Sequence, residues 1–403
     1  MKISYNWLLE YLDMKDADGN IPTPEEIALK MNKAGIDVES VKKIKKEEAN
    51  LSKDDTVIDI RVSRELSDLS AMMWTINELC GILEIPLASR QKYGELLPNS
   101  MWTRDVLDTE LYVDSYTDKC KLIAGRIINS IEHLKTPIDI QDRVIVNGCK
   151  AIDSVFDLAN YAIRNLGQPL FLFDKDKLPS LNIVIKESKE KGEIIVDSKK
   201  YAYDEKDLVL TCLDEVIGIG GFLIDDKYKV TKETKSLLIL TAVIGFDEVL
   251  KLRNRYNLND LNCIVASAGS NHSSAMKELT YITSLYFEYS GAKGIEDASI
   301  YNKYDFIKSI IFTSVKEVNS LLDTNYRHSD IVPIVANCGI SMTVLEPVYD
   351  ENNKELFFGV CETSPLISDD IKIGAKFSSF RNQRTVNDFA QTVLSLTGCD
   401  YIK

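Results

Sequence analysis

Residues 167–174 read GQPLFLFD: a Gly-Gln-Pro turn runs into Leu170, Phe171, Leu172 and Phe173 and stops at Asp174. Four large apolar residues in succession do not alternate, which excludes a strand with one wet face. Either the run is a strand buried on both sides, or one of its side chains, Phe171, lines a pocket where a polar group would be expected. The residues alone leave both readings open. With 403 residues the chain is too long for one ordinary core, and two or three domains are expected.

Around this octapeptide the pattern is that of a multidomain α+β protein. Residues 2–4 read as a strand and NWLLEYLD as a helical stretch. In TPEEIALKMNKAG, Thr23 suits an N-cap, Pro24 the first helical position and Glu26 the third, and Gly35 stops the helix. IDVESVKKI and TVIDIRV alternate like strands around a polar loop, and a helix from Asp68 to Leu83 closes a small βααββα unit over 1–92. Residues 93–118 read as a linker. A larger mixed α/β domain is expected over 119–298. It has helices in TPIDIQDRVIVNGCK and SVFDLANYAIRNLG, a β-rich stretch from Leu181 to Ile239, and two further helices flanking the loop NLNDLNC. A C-terminal α+β module takes 299–403.

Charge and cysteine usage narrow the function classes. A net charge of −14 opposes non-specific nucleic-acid binding, because phosphate contacts need clustered Lys and Arg. The one dense basic run, Lys42, Lys43, Lys45 and Lys46, is followed at once by Glu47 and Glu48 and reads as a solvated strand end. Eight cysteines are spread without a C-x-x-C pair, and three histidines lack metal-ligand spacing, so neither a metal site nor a cofactor is expected. No apolar run has the length of a membrane span and the N-terminal MKISYNWLLEYLDMKD has none of signal-peptide length, so a cytoplasmic location is expected.

Motif chemistry is sparse. GIGG at 218–221 lacks the G-x-G-x-x-G spacing and precedes no helix start, so a tight approach of strand and neighbour is the better reading. His272 beside Ser273 and Ser274 suggests a nucleophile pair, yet sequence neighbours rarely form a triad and no partner acid can be assigned. Asp260 and Asn262 are either helix caps or pocket groups.

The string RVIVNGCKAIDSVFDLANYAIRNLGQPLFLFDKDKL, residues 143–178, resembles the β chain of bacterial phenylalanyl-tRNA synthetase. The likeness rests on Gly148, Asp157, Asn160, Tyr161, Gly167 through Leu170, Phe173, Asp174, Asp176, Lys177 and Leu178. MKISYNWLLEYLD, TPEEIALKMNKAGIDVESV, DLVL, GIGG, TKSLLILTA, EYSGAKG and NDFAQTVLSLTGCDYI follow in family order. The departures are as informative. Only the 45–55 loop stands where the family inserts an OB-fold. SRELSDLS is all that remains of a P-N-R-x-D-C-x-S signature, and the chain ends where the family continues into catalytic-like and C-terminal modules.

The resemblance implies that the middle domain is an editing module that hydrolyses misacylated tyrosyl-tRNA. It also implies a pocket with a His after G-Q-P-L, a Glu in an L-E-S-A strand and a Thr/Ser-x-Ala triplet. The matching positions are Phe171, Leu240, Asp260 and Asn262, with Thr241, Gly220 and Gly221 alongside. Losing the His and Glu removes general-base and hydrogen-bonding capacity. The expectation is a β-chain paralogue without aminoacylation or standard editing. It would bind an amino acid, an aminoacyl group or a protein partner through a remodelled pocket, and tRNA only weakly. The alternatives are an altered deacylase or aminoacyl-transfer enzyme using Asp260, Asn262 and His272, or a reduced β subunit docking on a catalytic α chain.

Overall fold

A computed structural model describes residues 1–15, 19–63, 66–85, 107–269, 275–303, 310–337, 340–349, 355–360, 372–376 and 386–397. The first unit runs β1 (Lys2–Ser4), α1 (Tyr5–Tyr11), α2 (Pro24–Lys33), β2 (Val38–Ile44), a single helical turn α3 (Lys46–Ala49), β3 (Asp55–Ile60) and α4 (Met72–Ile82). Its sheet has the order β1-β3-β2, all antiparallel. Thr23 and Glu26 cap α2 reciprocally through their side chains and backbone N–H groups, with Pro24 at the start. Expected βααββα order is thus observed, with α3 formed inside the stretch expected to be loop.

Two sheets build the middle of the chain. One is β12 (Leu223–Ile224), β11 (Glu215–Ile219), β10 (Leu208–Cys212), β7 (Asn182–Glu187) and β4 (Tyr112–Ser115), in that order. The other is β14 (Lys293–Ile295), β5 (Cys120–Ser130), β13 (Leu237–Ile244) and β6 (Phe171–Asp174), with β15 (Ser299–Asn302) also paired to β5. A hairpin of β8 (Gly192–Val196) and β9 (Lys199–Tyr203) projects between them in sequence. Two boundaries are corrected here. β4, inside the span expected as linker, joins β7 in parallel, and β15, expected in the C-terminal module, hydrogen-bonds to β5.

Helices α5 (Ile138–Val146) and α6 (Ser154–Leu166) precede β6; α7 (Phe246–Tyr256), α8 (Leu261–Ala268) and α9 (Ala275–Tyr289) follow β13. Asp153 caps α6 by accepting from Val155 N–H, and Gly167 ends it at φ +77°, a left-handed conformation that favours glycine. That stop turns the chain into β6. α8 corrects the reading of NLNDLNC as a loop, since its last residues form the first turn of a helix.

The C-terminal part holds β16 (Ile310–Ser314), α10 (Val315–Leu322), α11 (His328–Asn337), β17 (Ser341–Tyr349), β18 (Glu355–Val360), β19 (Lys372–Lys376) and α12 (Val386–Thr397). Its strands form a sheet of order β16-β19-β17-β18. Of these elements, β16, α11 and β19 had no counterpart in the sequence reading.

Two cores meet at β13. Leu237, Ile239 and Val243 pack with α6, α9 and the first unit; Leu238, Leu240, Ala242 and Ile244 pack toward β7, β10 and β11. Every residue of β13 is buried, and β6 is likewise covered on both faces apart from partly buried Leu172. That is the both-sides-buried reading of PLFLFD.

Candidate functional site

Phe171 and Leu240 are direct cross-strand partners in the β6–β13 pair, and both are buried on the face turned toward β7, β10 and β11. Each lies against the backbone of a glycine. The Phe171 ring lies over Gly221, where an added Cβ would come within 2.8 Å of Cε2. It also meets the Phe222 ring edge-on, with centroids 5.4 Å apart. Leu240 covers Gly125 on its other side, where a Cβ would meet Leu240 Cδ2 at 2.6 Å. Gly220 is closed in the same way by Leu252 of α7. Three glycines thus bring backbone up to three large apolar side chains.

Gly221 has φ +82°, a region that L side chains rarely adopt, so the GIGG stretch is a turn shaped for close approach. No helix follows it, and β12 begins two residues later.

Thr241 faces the other way. It pairs with Ala124 of β5, on the helix-covered face, so it does not join Phe171 and Leu240. Its hydroxyl is buried without a hydrogen-bond partner.

Asn262 is spent on the backbone. Its Oδ1 accepts from Leu170 N–H at 2.8 Å and its Nδ2 donates to Leu170 C=O at 2.8 Å. This two-way clamp ties α8 to the turn that launches Phe171. Asp260 is the N-cap of α8, its Oδ1 accepting from Cys263 N–H at 3.1 Å. The residue is surface-exposed, but crowding by protein atoms pushes its carboxyl above the usual aspartate range, against the lowering effect of the Cys263 and Asn262 N–H groups. His272 lies outside the described residues.

The arrangement therefore brings together Phe171, Leu240, Gly220 and Gly221, with Asn262 clamping the backbone beside them. What the sequence reading missed is Gly125, whose signal was a lone glycine inside the strand KLIAGRIINSI, a mark of close approach.

Among the described residues no helix is long and apolar enough to cross a membrane. Comparison with known proteins places the B3/4 domain family on residues 119–291. Phenylalanine–tRNA ligase beta subunits are similar over most of the chain. The one from Streptococcus thermophilus is 23% identical over 298 residues, 73% of this chain and 36% of that protein. The Lactococcus lactis protein is 24% identical over 295 residues, with the same coverage, and the Streptococcus pneumoniae protein 23% over 341, covering 83% and 42%. The chain thus spans about two fifths of the length of these relatives. An N-terminal fragment of the phenylalanyl-tRNA synthetase beta subunit from Pyrococcus horikoshii aligns over 99% of both chains, with a TM-score of 0.43 and 13% identity. Residues 119–291 match the B3/4 domain family, and the chain that carries them is similar to phenylalanine–tRNA ligase beta subunits.

Proposed function

We propose that this chain is a non-hydrolytic relative of the beta subunit, acting by binding an aminoacyl compound or a protein partner. The observation that carries the reading is the filled site: Phe171 on Gly221 and Leu240 on Gly125 take the volume a tyrosyl ring would need. Among the described residues, the two polar candidates are committed elsewhere. Asn262 has both halves of its amide committed to Leu170, and Asp260 holds the first turn of α8. A buried carbonyl or hydroxyl entering there would lose its water partners and gain none, at a cost of about 1–3 kcal/mol per group. Binding of tRNA is weak in this reading, because a −14 chain repels a polyanion outside any local basic patch.

The test is hydrolysis of tyrosyl-tRNA by the purified chain. Wild type and Asp260→Ala are both expected at the rate of the buffer blank. Turnover by wild type that Asp260→Ala abolishes would replace this reading with that of an altered deacylase.

A further inference from the structure

Away from the filled site, α1, the loop between α3 and β3, and α5 enclose a cleft of about 200 Å³ at the junction of the first unit and the middle domain. Trp7, Glu10, Leu51, Lys53, Ile138 and Asp139 shape it. Its volume lies below the usual range for drug-sized ligands, so it suits a small one.

The walls differ in chemistry. Trp7 is 1% exposed, with its indole N–H buried beside Tyr11. Leu51 is buried, while Ile138 is half-exposed beside it. The Arg143 guanidinium stacks 5.3 Å over the Trp7 ring, ion-pairs with Glu10 and lies 3.5 Å from Asp139. Lys53 reaches Glu10 at 3.6 Å from the rim. Asp142 accepts from Ser52 N–H at 3.0 Å, and Asp55 accepts from Ser4, Asn6 and Thr56. Among the described residues, Asp139 is the carboxylate of this cleft whose one ion-pair contact is the long one to Arg143, and its side chain is 53% exposed.

We propose that this cleft binds a small aminoacyl compound through its free ammonium group, with the carboxyl carried as an amide or ester. Four carboxylates against two cations leave the cleft negative, so a ligand of net charge +1 is favoured over a zwitterion. Asp139 takes the ammonium, the apolar side chain lies against Leu51 and Ile138, and the acyl oxygen faces the donors, Lys53 foremost. The inference rests on the aminoacyl-binding part of the reading above and places it in a second site, so it stands whether or not tyrosyl-tRNA is hydrolysed.

Calorimetric titration of the full chain with L-leucinamide, L-leucine and N-acetyl-L-leucinamide tests it. Leucinamide is expected to bind saturably, leucine at least tenfold more weakly, and the acetylated amide not at all. Asp139→Asn should weaken leucinamide tenfold or more. Lys53→Ala should weaken leucine, whose carboxylate it meets, more than leucinamide. Both positions are half-exposed, and unchanged melting temperatures would establish that the variants fold. Absence of leucinamide binding, equal binding of the acetylated compound, or indifference to Asp139→Asn would each overturn the proposal.

Discussion

The ring of Phe171 rests on the backbone of Gly221 so closely that a methyl group on the glycine would sit 2.8 Å from Cε2. This contact joins β6 to the turn before β12, at positions where the family resemblance implies a polar pocket.

Gly221→Ala should therefore destabilise the chain by about 2–4 kcal/mol, from a positive φ and an overpacked ring together. Phe171→Ala in the same chain should relieve the overpacking part. In a denaturant-melt double-mutant cycle the two changes are expected to couple by at least about 1 kcal/mol. Additive effects would mean the ring does not rest on Gly221.

Asn262→Ala strips Leu170 of a donor and an acceptor at once, at an expected cost of about 2 kcal/mol. Asp260→Ala loses only a cap, about 1 kcal/mol. Urea unfolding midpoints should fall in that order.

Asp207, at the start of β10, is buried and ion-pairs with Lys251 at 3.0 Å and with Arg255, which fasten α7 to the sheet. Burial raises its carboxyl pKa, but the Asp204 N–H, Lys251 and Arg255 outweigh that and leave it below the usual value of 3.8. A depressed native pKa adds stability that is fully present above 3.8 and is lost as pH falls through the native value. Asp207→Asn should cost about 3 kcal/mol at neutral pH and progressively less below pH 4.

Glu278 on α9 has the opposite sign. It is fully buried, neither carboxyl oxygen has a hydrogen-bond partner, and burial raises its pKa well above 4.5. The native state keeps a proton that the unfolded chain releases, so stability falls as pH rises above 4.5, by about 1.4 kcal/mol per unit. Glu278→Leu should stabilise, by more at pH 8 than at pH 5, in paired thermal melts.

Much of this was legible in the residues where local chemistry and tertiary structure agree. Thr23, Pro24 and Glu26 mark a helix start by themselves, and Gly167 marks a stop. The unbroken apolar run of β6 left two readings open, and burial on both faces is the one observed. α8 was missed because its eight residues, LNCIVASA, are too short for a helical period to stand out, and Asp260 reads equally well as a cap or a pocket acid. β4 was hidden in a polar linker because YVDS is defined by its partner β7, a non-local pairing no local pattern encodes. Thr241 was grouped with Leu240 by adjacency, although strand alternation puts neighbours on opposite faces. The double use of Asn262 depends on a contact ninety-two residues away.

The most direct test of the closed site is calorimetric titration with p-cresol, which carries the ring and hydroxyl of tyrosine and little else. Wild type is expected to show no saturable binding, because Phe171 already occupies the space over Gly221. Phe171→Ala, which vacates a ring's volume there, should bind it saturably, as apolar cavities of that size accept small aromatics. Saturable binding to the wild type that Phe171→Ala leaves unchanged or weakens would contradict the account.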